Sequence, residues 1–263
     1  MLAAGLNEPE HLALDAAPPE GPYLYWGDSR RNTIEMCVLR PSAAGNCSSV
    51  QTAHTGVEVV SGLAVDPVGR ALYWADGAAL RVRSAPLAAD GTALSAATVD
   101  VVSLVYMPAA IALDSGPEAD ARTQAIYYIE QRAPASVRRR ALNGSSQAEV
   151  LVEYSLSRPR GLAVAAQVRR WFVVDSGMQT LSMAPIDAVN ISAATLTLLL
   201  QDSAWQPRGI AVPSTLQVRQ DVSLETSAAA ASPRSYSLQQ LRRTAPACVM
   251  ATVLALWLAN PFR

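Results

Sequence analysis

The 263-residue chain is half hydrophobic, only 16% charged and has a formal net charge of -1, so it lacks the dense positive charge of a nucleic-acid binder. Its two histidines, His11 and His54, and its three cysteines, Cys37, Cys47 and Cys248, have no metal-ligand spacing. There is no G-x-S-x-G, G-x-x-x-x-G-K or G-x-G-x-x-G string, which removes the serine-nucleophile and phosphate-loop classes.

The chain is one unit written several times. Residues 8–15 read E-P-E-H-L-A-L-D, 60–66 V-S-G-L-A-V-D, 107–114 M-P-A-A-I-A-L-D, 158–164 R-P-R-G-L-A-V and 206–212 Q-P-R-G-I-A-V. The first four are each followed by an aromatic-aliphatic string that ends in an acid: Y-L-Y-W-G-D at 23–28, A-L-Y-W-A-D at 71–76, A-I-Y-Y-I-E at 125–130 and R-W-F-V-V-D at 170–175. The aliphatic anchor recurs at Leu12, Leu63, Ile111, Leu162 and Ile210, in steps of 51, 48, 51 and 48. That spacing holds about four short strands, the size of a propeller blade.

In chain order, the first unit has an insertion at 16–22 between its first two strands, then Cys37 and Cys47 on strands expected to be adjacent third and fourth neighbours. These two can be bridged if their side chains oppose each other, and are otherwise free thiols. The second unit is the cleanest: a strand at 62–66, a turn at 67–70, a strand at 71–75, alternation over 80–87 and an Asp90-Gly91 turn. The third has an insertion at 115–123, then Arg138-Arg139-Arg140, an Asn143-Gly144 turn and a fourth strand at 150–154. Strand alternation puts Arg138 and Arg140 on one face and Arg139 on the other. We read the run as a solvated blade surface, with a site for acidic ligands or glycosaminoglycan as the alternative. The fourth unit closes with a strand at 196–201, and a fifth opens at 209–212 before alternation fades beyond 216–224.

The second unit, G-L-A-V-D-P-V-G-R-A-L-Y-W-A-D-G, resembles the YWTD repeat, also called the low-density lipoprotein receptor class B repeat. The resemblance extends over residues 8–213 and implies an all-β propeller, with six blades usual for the family. Tyr73, Trp74 and Asp76 match the motif, with Ala75 where Thr is usual, and Tyr25, Trp26 and Asp28 match it in the first copy. Tyr127, Tyr128 and Glu130, then Trp171, Phe172 and Asp175, are looser copies. The aromatics are expected to pack between neighbouring sheets and the acid to accept backbone N–H bonds in the following turn. Four motifs and a partial fifth fall short of six blades. Fewer blades, divergent repeats in the tail and blades upstream are the alternatives; an open edge favours the last.

Three sequons, at Asn46, Asn143 and Asn190, take half of the six asparagines and fall in corresponding turns, where a glycan would face solvent. Turn chemistry alone would also place Asn and Ser there. Residues 1–218 are therefore expected to form the propeller, 219–243 a small-residue and polar linker, and 244–259 an uncharged anchor segment. The order matches a GPI signal. A single transmembrane helix is the competitor, although sixteen residues span only about 24 Å against a hydrocarbon core of about 30 Å. Residues 1–6 are too short for a signal peptide, so an entry signal is expected upstream, or else the chain is cytosolic and the sequons accidental.

The resemblance implies a non-enzymatic extracellular or cell-surface module that binds a protein ligand through the propeller face, with no cofactor. The insertions at 16–22 and 115–123 are candidates for the contact surface. The rival is a propeller enzyme of lactonase or strictosidine-synthase type, with Asp15, Asp66 and Asp114 at the ends of the inner strands as a ring of carboxylates for a hard cation. That ring lapses at Ala165 and Pro213.

Overall fold

The computed structural model describes residues 8–211 apart from 17, 19–21, 40–46, 48–49, 94, 116–123, 145–146, 193–194, 204–206 and 208. Asn46, most of both insertions and everything from 212 onward, including the linker and anchor segments, lie outside the described residues. No helix among the described residues is long and apolar enough to cross a membrane.

Among the described residues, sixteen strands form four antiparallel four-stranded sheets in simple meander order. Blade 1 is β1 (Pro9–Asp15), β2 (Tyr23–Asp28), β3 (Thr33–Val38) and β4 (Gln51–Thr55). Blade 2 is β5 (Val60–Asp66), β6 (Ala71–Asp76), β7 (Arg81–Pro86) and β8 (Val99–Ser103). Blade 3 is β9 (Pro108–Asp114), β10 (Ala125–Glu130), β11 (Ser136–Ala141) and β12 (Glu149–Glu153). Blade 4 is β13 (Pro159–Ala165), β14 (Arg170–Asp175), β15 (Thr180–Pro185) and β16 (Thr197–Gln201).

The inner strands β1, β5, β9 and β13 lie side by side, which makes a four-blade β-propeller arrangement. Glycine sets the closest approach: a Cβ on Gly62 would meet the Ile111 backbone N at 2.8 Å. The contact repeats between Gly161 and the backbone of Gly209 and Ile210, at 3.0 to 3.1 Å from the Cβ position. Residues 209–211 thus lie against blade 4 as β9 lies against β5.

Register explains the repeated motif. Leu12 pairs Trp26, Leu63 pairs Trp74, Ile111 pairs Tyr128 and Leu162 pairs Val173. Because side chains alternate along a strand, consecutive aromatics serve different interfaces. Trp74 packs into the core between blades 1 and 2 with Tyr25, Ile34, Met36 and Leu63. Tyr73 packs into the next core with Ile111, Ile126 and Tyr128. In the fourth copy Val173 stands at the tryptophan position and Trp171 lies two residues earlier, on the same face, fully buried in the core between blades 3 and 4. Phe172 takes the tyrosine position and is only partly buried, against Val174, Leu181, Leu200 and Ile210.

Among the described residues, nothing covers one flank of blade 1. Leu12 is 69% exposed, whereas its counterparts Leu63, Ile111 and Leu162 are 6 to 7% exposed, each covered by the preceding blade.

In blades 2 and 4 the connection between third and fourth strands straps the blade to its predecessor. In blade 2, the Tyr25 hydroxyl donates to the Gly91 carbonyl at 2.9 Å and the Ala93 amide donates to the Ala53 carbonyl at 2.9 Å. Gly91 is required twice over: its φ is +83°, and a Cβ there would collide with the Tyr23 ring. In blade 4, the Asn190 and Ile191 amides donate to the Val150 and Leu151 carbonyls at 2.9 and 2.8 Å. Asn143 and Asn190 are exposed on these connections.

Cys37 and Cys47 form a disulfide with Cα atoms 5.6 Å apart. Cys47 does not lie on the fourth strand as expected from the sequence; it forms an isolated bridge with Leu39, and β4 starts at Gln51.

Candidate binding face

One rim of the propeller carries the ends of the second strands, the starts of the inner strands and the loops from each blade to the next. The motif acids are buried there and organise it. Asp28 accepts from the Arg31 amide at 3.2 Å and Asp76 from the Ala79 amide at 3.0 Å. Asp175 accepts four backbone N–H groups: Gly177 at 2.8 Å, Met178 at 3.0 Å, Ser157 at 2.7 Å and Arg158 at 2.9 Å. It therefore fixes its own turn and the loop arriving from blade 3. Glu130, one methylene longer, reaches to the Tyr106 amide at 3.0 Å and pairs with Arg138 at 3.0 Å. The four motif acids are thus framework of the rim, each already bonded to backbone amides.

The exposed residues of this rim were not singled out by the sequence. Leu104, Met107 and Tyr154 are 71%, 62% and 82% exposed, beside partly exposed Tyr106 and Met178. Leu104 and Tyr154 directly follow the outer strands, have φ of 61° and 62°, and correspond to Gly56, with φ 77°, in blade 1. The turn calls for a left-handed residue that glycine fills without strain; a large apolar side chain costs about 1 kcal/mol there. The loops are contiguous. The Gln131 amide donates to the Met107 carbonyl at 3.2 Å and its side-chain amide donates to the Pro159 carbonyl at 2.5 Å. The Arg132 guanidinium lies 4.6 Å from the Tyr106 ring centre.

A cleft of about 600 Å³ opens beneath Leu104 and Tyr106, between blades 2 and 3. Arg138 and Arg140 line it, on the face that alternation assigned to them. The arginine run is partly buried and engaged, in contrast to the solvated surface expected: Arg138 within its own blade, Arg139 and Arg140 also across to the neighbouring blades. Arg138 pairs with Glu130, Arg140 donates to the Val101 carbonyl of blade 2, and Arg139 turns the other way, to Glu149 and the Ile186 carbonyl of blade 4. Burial of the Tyr128 hydroxyl in the cleft raises its pKa to about 12.

The opposite rim carries the ends of the inner strands, and also the strand ends that flank both insertions. Asp15, Asp66 and Asp114 are buried there with separate engagements. Asp15 pairs with Arg70 of blade 2, and Asp66 accepts the Val68 and Gly69 amides at 3.0 Å each. Asp114 keeps one buried oxygen without a hydrogen bond among the described residues, and desolvation raises its pKa against the pull of Arg169 and Arg139. Among the described residues, no three His, Cys, Asp or Glu side chains converge as metal ligands.

The fold and its rims define a repeat-built β-propeller protein. No protein-family model matches the chain. Among curated proteins it is similar to the protein cueball of Drosophila virilis, 24% identical over 213 residues, which is 80% of this chain and 32% of that protein. Cueball of Drosophila grimshawi is 27% identical over 165 residues, 63% of this chain and 25% of that one. The chain therefore spans about a third or less of the length of these relatives. Among solved structures, a chain of a nidogen/laminin complex superposes with a TM-score of 0.56 at 20% identity, over 70% of this chain and 64% of that one. A gluconolactonase from Xanthomonas campestris superposes with a TM-score of 0.58 at 16% identity, over 79% and 67%.

Proposed function

We propose that this chain is a non-enzymatic extracellular or cell-surface module of the YWTD type that binds a protein ligand through the rim carrying Leu104, Tyr106, Met107 and Tyr154. The observation that carries this reading is the exposure of large apolar side chains on these adjoining loops, three of them held in a left-handed backbone conformation where glycine would be cheaper. Likeness to a chain of a nidogen/laminin complex supports a protein partner. The Cys37–Cys47 disulfide and the exposed sequons at Asn143 and Asn190 support an oxidising, secretory environment. On this reading residues 1–218 are the propeller, 219–243 a linker and 244–259 the membrane attachment, whether GPI signal or helix.

The test is surface plasmon resonance of the purified chain against a panel of purified secreted and matrix proteins. The double substitution Leu104→Asp, Tyr154→Ala should abolish any specific binding, while Val68→Ser on the opposite rim leaves it intact. Binding that ignores the first and responds to the second would place the ligand elsewhere.

A second reading, a lactonase-like hydrolase, draws on the fold likeness to the gluconolactonase. Stoichiometric calcium uptake in equilibrium dialysis, lost on Asp114→Asn, would favour it.

A further inference from the structure

The charges of the binding rim are not evenly spread. Blade 1 presents the exposed acids Glu8, Glu10 and Glu58, of which Glu8 pairs with Arg30 at 2.8 Å and Glu10 accepts from the Ser29 hydroxyl at 2.9 Å. On blades 3 and 4 the exposed cations Arg132, Arg158 and Arg160 have no carboxylate partner among the described residues. Acids on the same loops and cleft are already committed: Glu130 to Arg138 and the Tyr106 amide, Glu153 to Arg138, and Asp175 to four backbone amides. The structure holds these arginines in one neighbourhood. Gln131 bonds the Pro159 carbonyl at 2.5 Å, which joins the Arg132 turn to the strand start that bears Arg160, and Asp175 pins the Arg158 amide at 2.9 Å.

We infer that this half of the rim recognises an acidic polypeptide segment that also carries aromatic or aliphatic side chains. The inference rests on the reading of the rim as a protein-binding face and adds the chemistry of the partner. Guanidinium groups without an internal carboxylate take carboxylates in paired N–H···O bonds. Leu104, Met107 and Tyr154 supply the apolar anchor that such charge-assisted bonds need around them to exclude water. Met107 and Met178 adapt to irregular side chains. The cleft beneath Leu104 and Tyr106, with Tyr128 in its wall and Arg132, Arg138 and Arg140 along it, admits one side chain of the segment. A sulfated polysaccharide would satisfy the arginines and leave the apolar residues wet, so protein is the better match.

The experiment pans a random peptide library displayed on phage against the purified full chain, then measures the selected peptides by calorimetry. The proteins are wild type, Arg158→Glu/Arg160→Glu and Leu104→Asp/Tyr154→Ala, each checked for an unchanged circular dichroism spectrum and melting temperature. The expected peptides are rich in Asp and Glu with at least one aromatic or aliphatic residue. Their affinity should fall about tenfold or more in the charge-reversed protein, and again when salt is raised from roughly 0.05 to 0.5 M. Peptides lost on Leu104→Asp/Tyr154→Ala, yet not enriched in acids and indifferent to Arg158→Glu/Arg160→Glu, would overturn the acidic-partner inference and leave the face reading standing. Peptides indifferent to both variants would overturn the two together. Heparin binding that disappears in the charge-reversed protein, with no acidic peptide selected, would assign the arginines to a polysaccharide instead.

Discussion

Replacing Asp175 by Ala tests whether the motif acid organises the binding rim. The carboxylate is fully buried and accepts the amides of Ser157, Arg158, Gly177 and Met178 at 2.7 to 3.0 Å. A hydrogen bond to a charged acceptor contributes about 1.5 to 3 kcal/mol. The four share one acceptor group and do not add, and the Gly177 and Met178 amides sit in an exposed turn where water can replace the carboxylate. The loss is then dominated by Ser157 and Arg158, which gives about 3 kcal/mol. Against a typical total of about 5 to 15 kcal/mol the variant still folds. Asp175→Asn keeps one acceptor oxygen and turns an amide NH2 toward a donor, so it should cost about 1 to 2 kcal/mol. Guanidinium unfolding followed by tryptophan fluorescence measures both, and an unchanged m value confirms that the same surface unfolds. Hydrogen exchange should show the Ser157 and Arg158 amides losing protection in the folded variant. A destabilisation below about 1 kcal/mol, or those two amides remaining protected, would refute the assignment.

Trp74→Ala removes a fully buried ring whose indole N–H has no hydrogen-bond partner among the described residues, so the loss is one of packing; the expected cost is about 3 to 5 kcal/mol by denaturant titration, and an unchanged midpoint would exclude it from the core between blades 1 and 2. Gly91→Ala should cost about 2 kcal/mol or more, from left-handed strain plus collision with Tyr23, whereas Gly144→Ala, with φ +69° and open space around it, should cost only about 1 kcal/mol. His54 stacks on Trp74, with ring centres 4.5 Å apart, and burial lowers its pKa below the ordinary 6.5. Above 6.5 neither state is protonated; as pH falls through 6.5 the unfolded chain takes up a proton that the folded state resists, so stability falls. Melting temperatures taken from about pH 7.5 to about pH 5.5 should drop less in His54→Gln than in wild type, and parallel curves would refute the coupling.

Much of the propeller was legible because its repeat is carried by residues that pack. The inner-strand anchors at Leu12, Leu63, Ile111 and Leu162 and the strings at 23–28, 71–76, 125–130 and 170–175 each become a strand of a blade. The acids were readable as turn acceptors, since Asp28 and Asp76 bond amides three residues on. Trp171 was harder, because a shift of two residues preserves the face of a strand while moving the ring along it. What the sequence did not reveal lies between blades: Tyr25 reaches Gly91 across 66 positions, and neither residue has a local pattern that points to the other. The inter-blade bonds of Arg139 and Arg140 go to backbone carbonyls, which no side-chain pattern encodes. Tyr154 was read as the end of a fourth strand, when it is the first residue after β12. The signal that would have found it, and Leu104, is the glycine at 56 in the same place of the first unit.

The central claim is tested most directly by hydrogen exchange of the chain alone and in complex with the tightest secreted or matrix protein from the binding panel. New protection confined to residues 104–107, 131–132 and 154–160 is the predicted result. Protection at 67–70, 87–93 and 166–169, on the opposite rim, with the first set unchanged, would contradict the account.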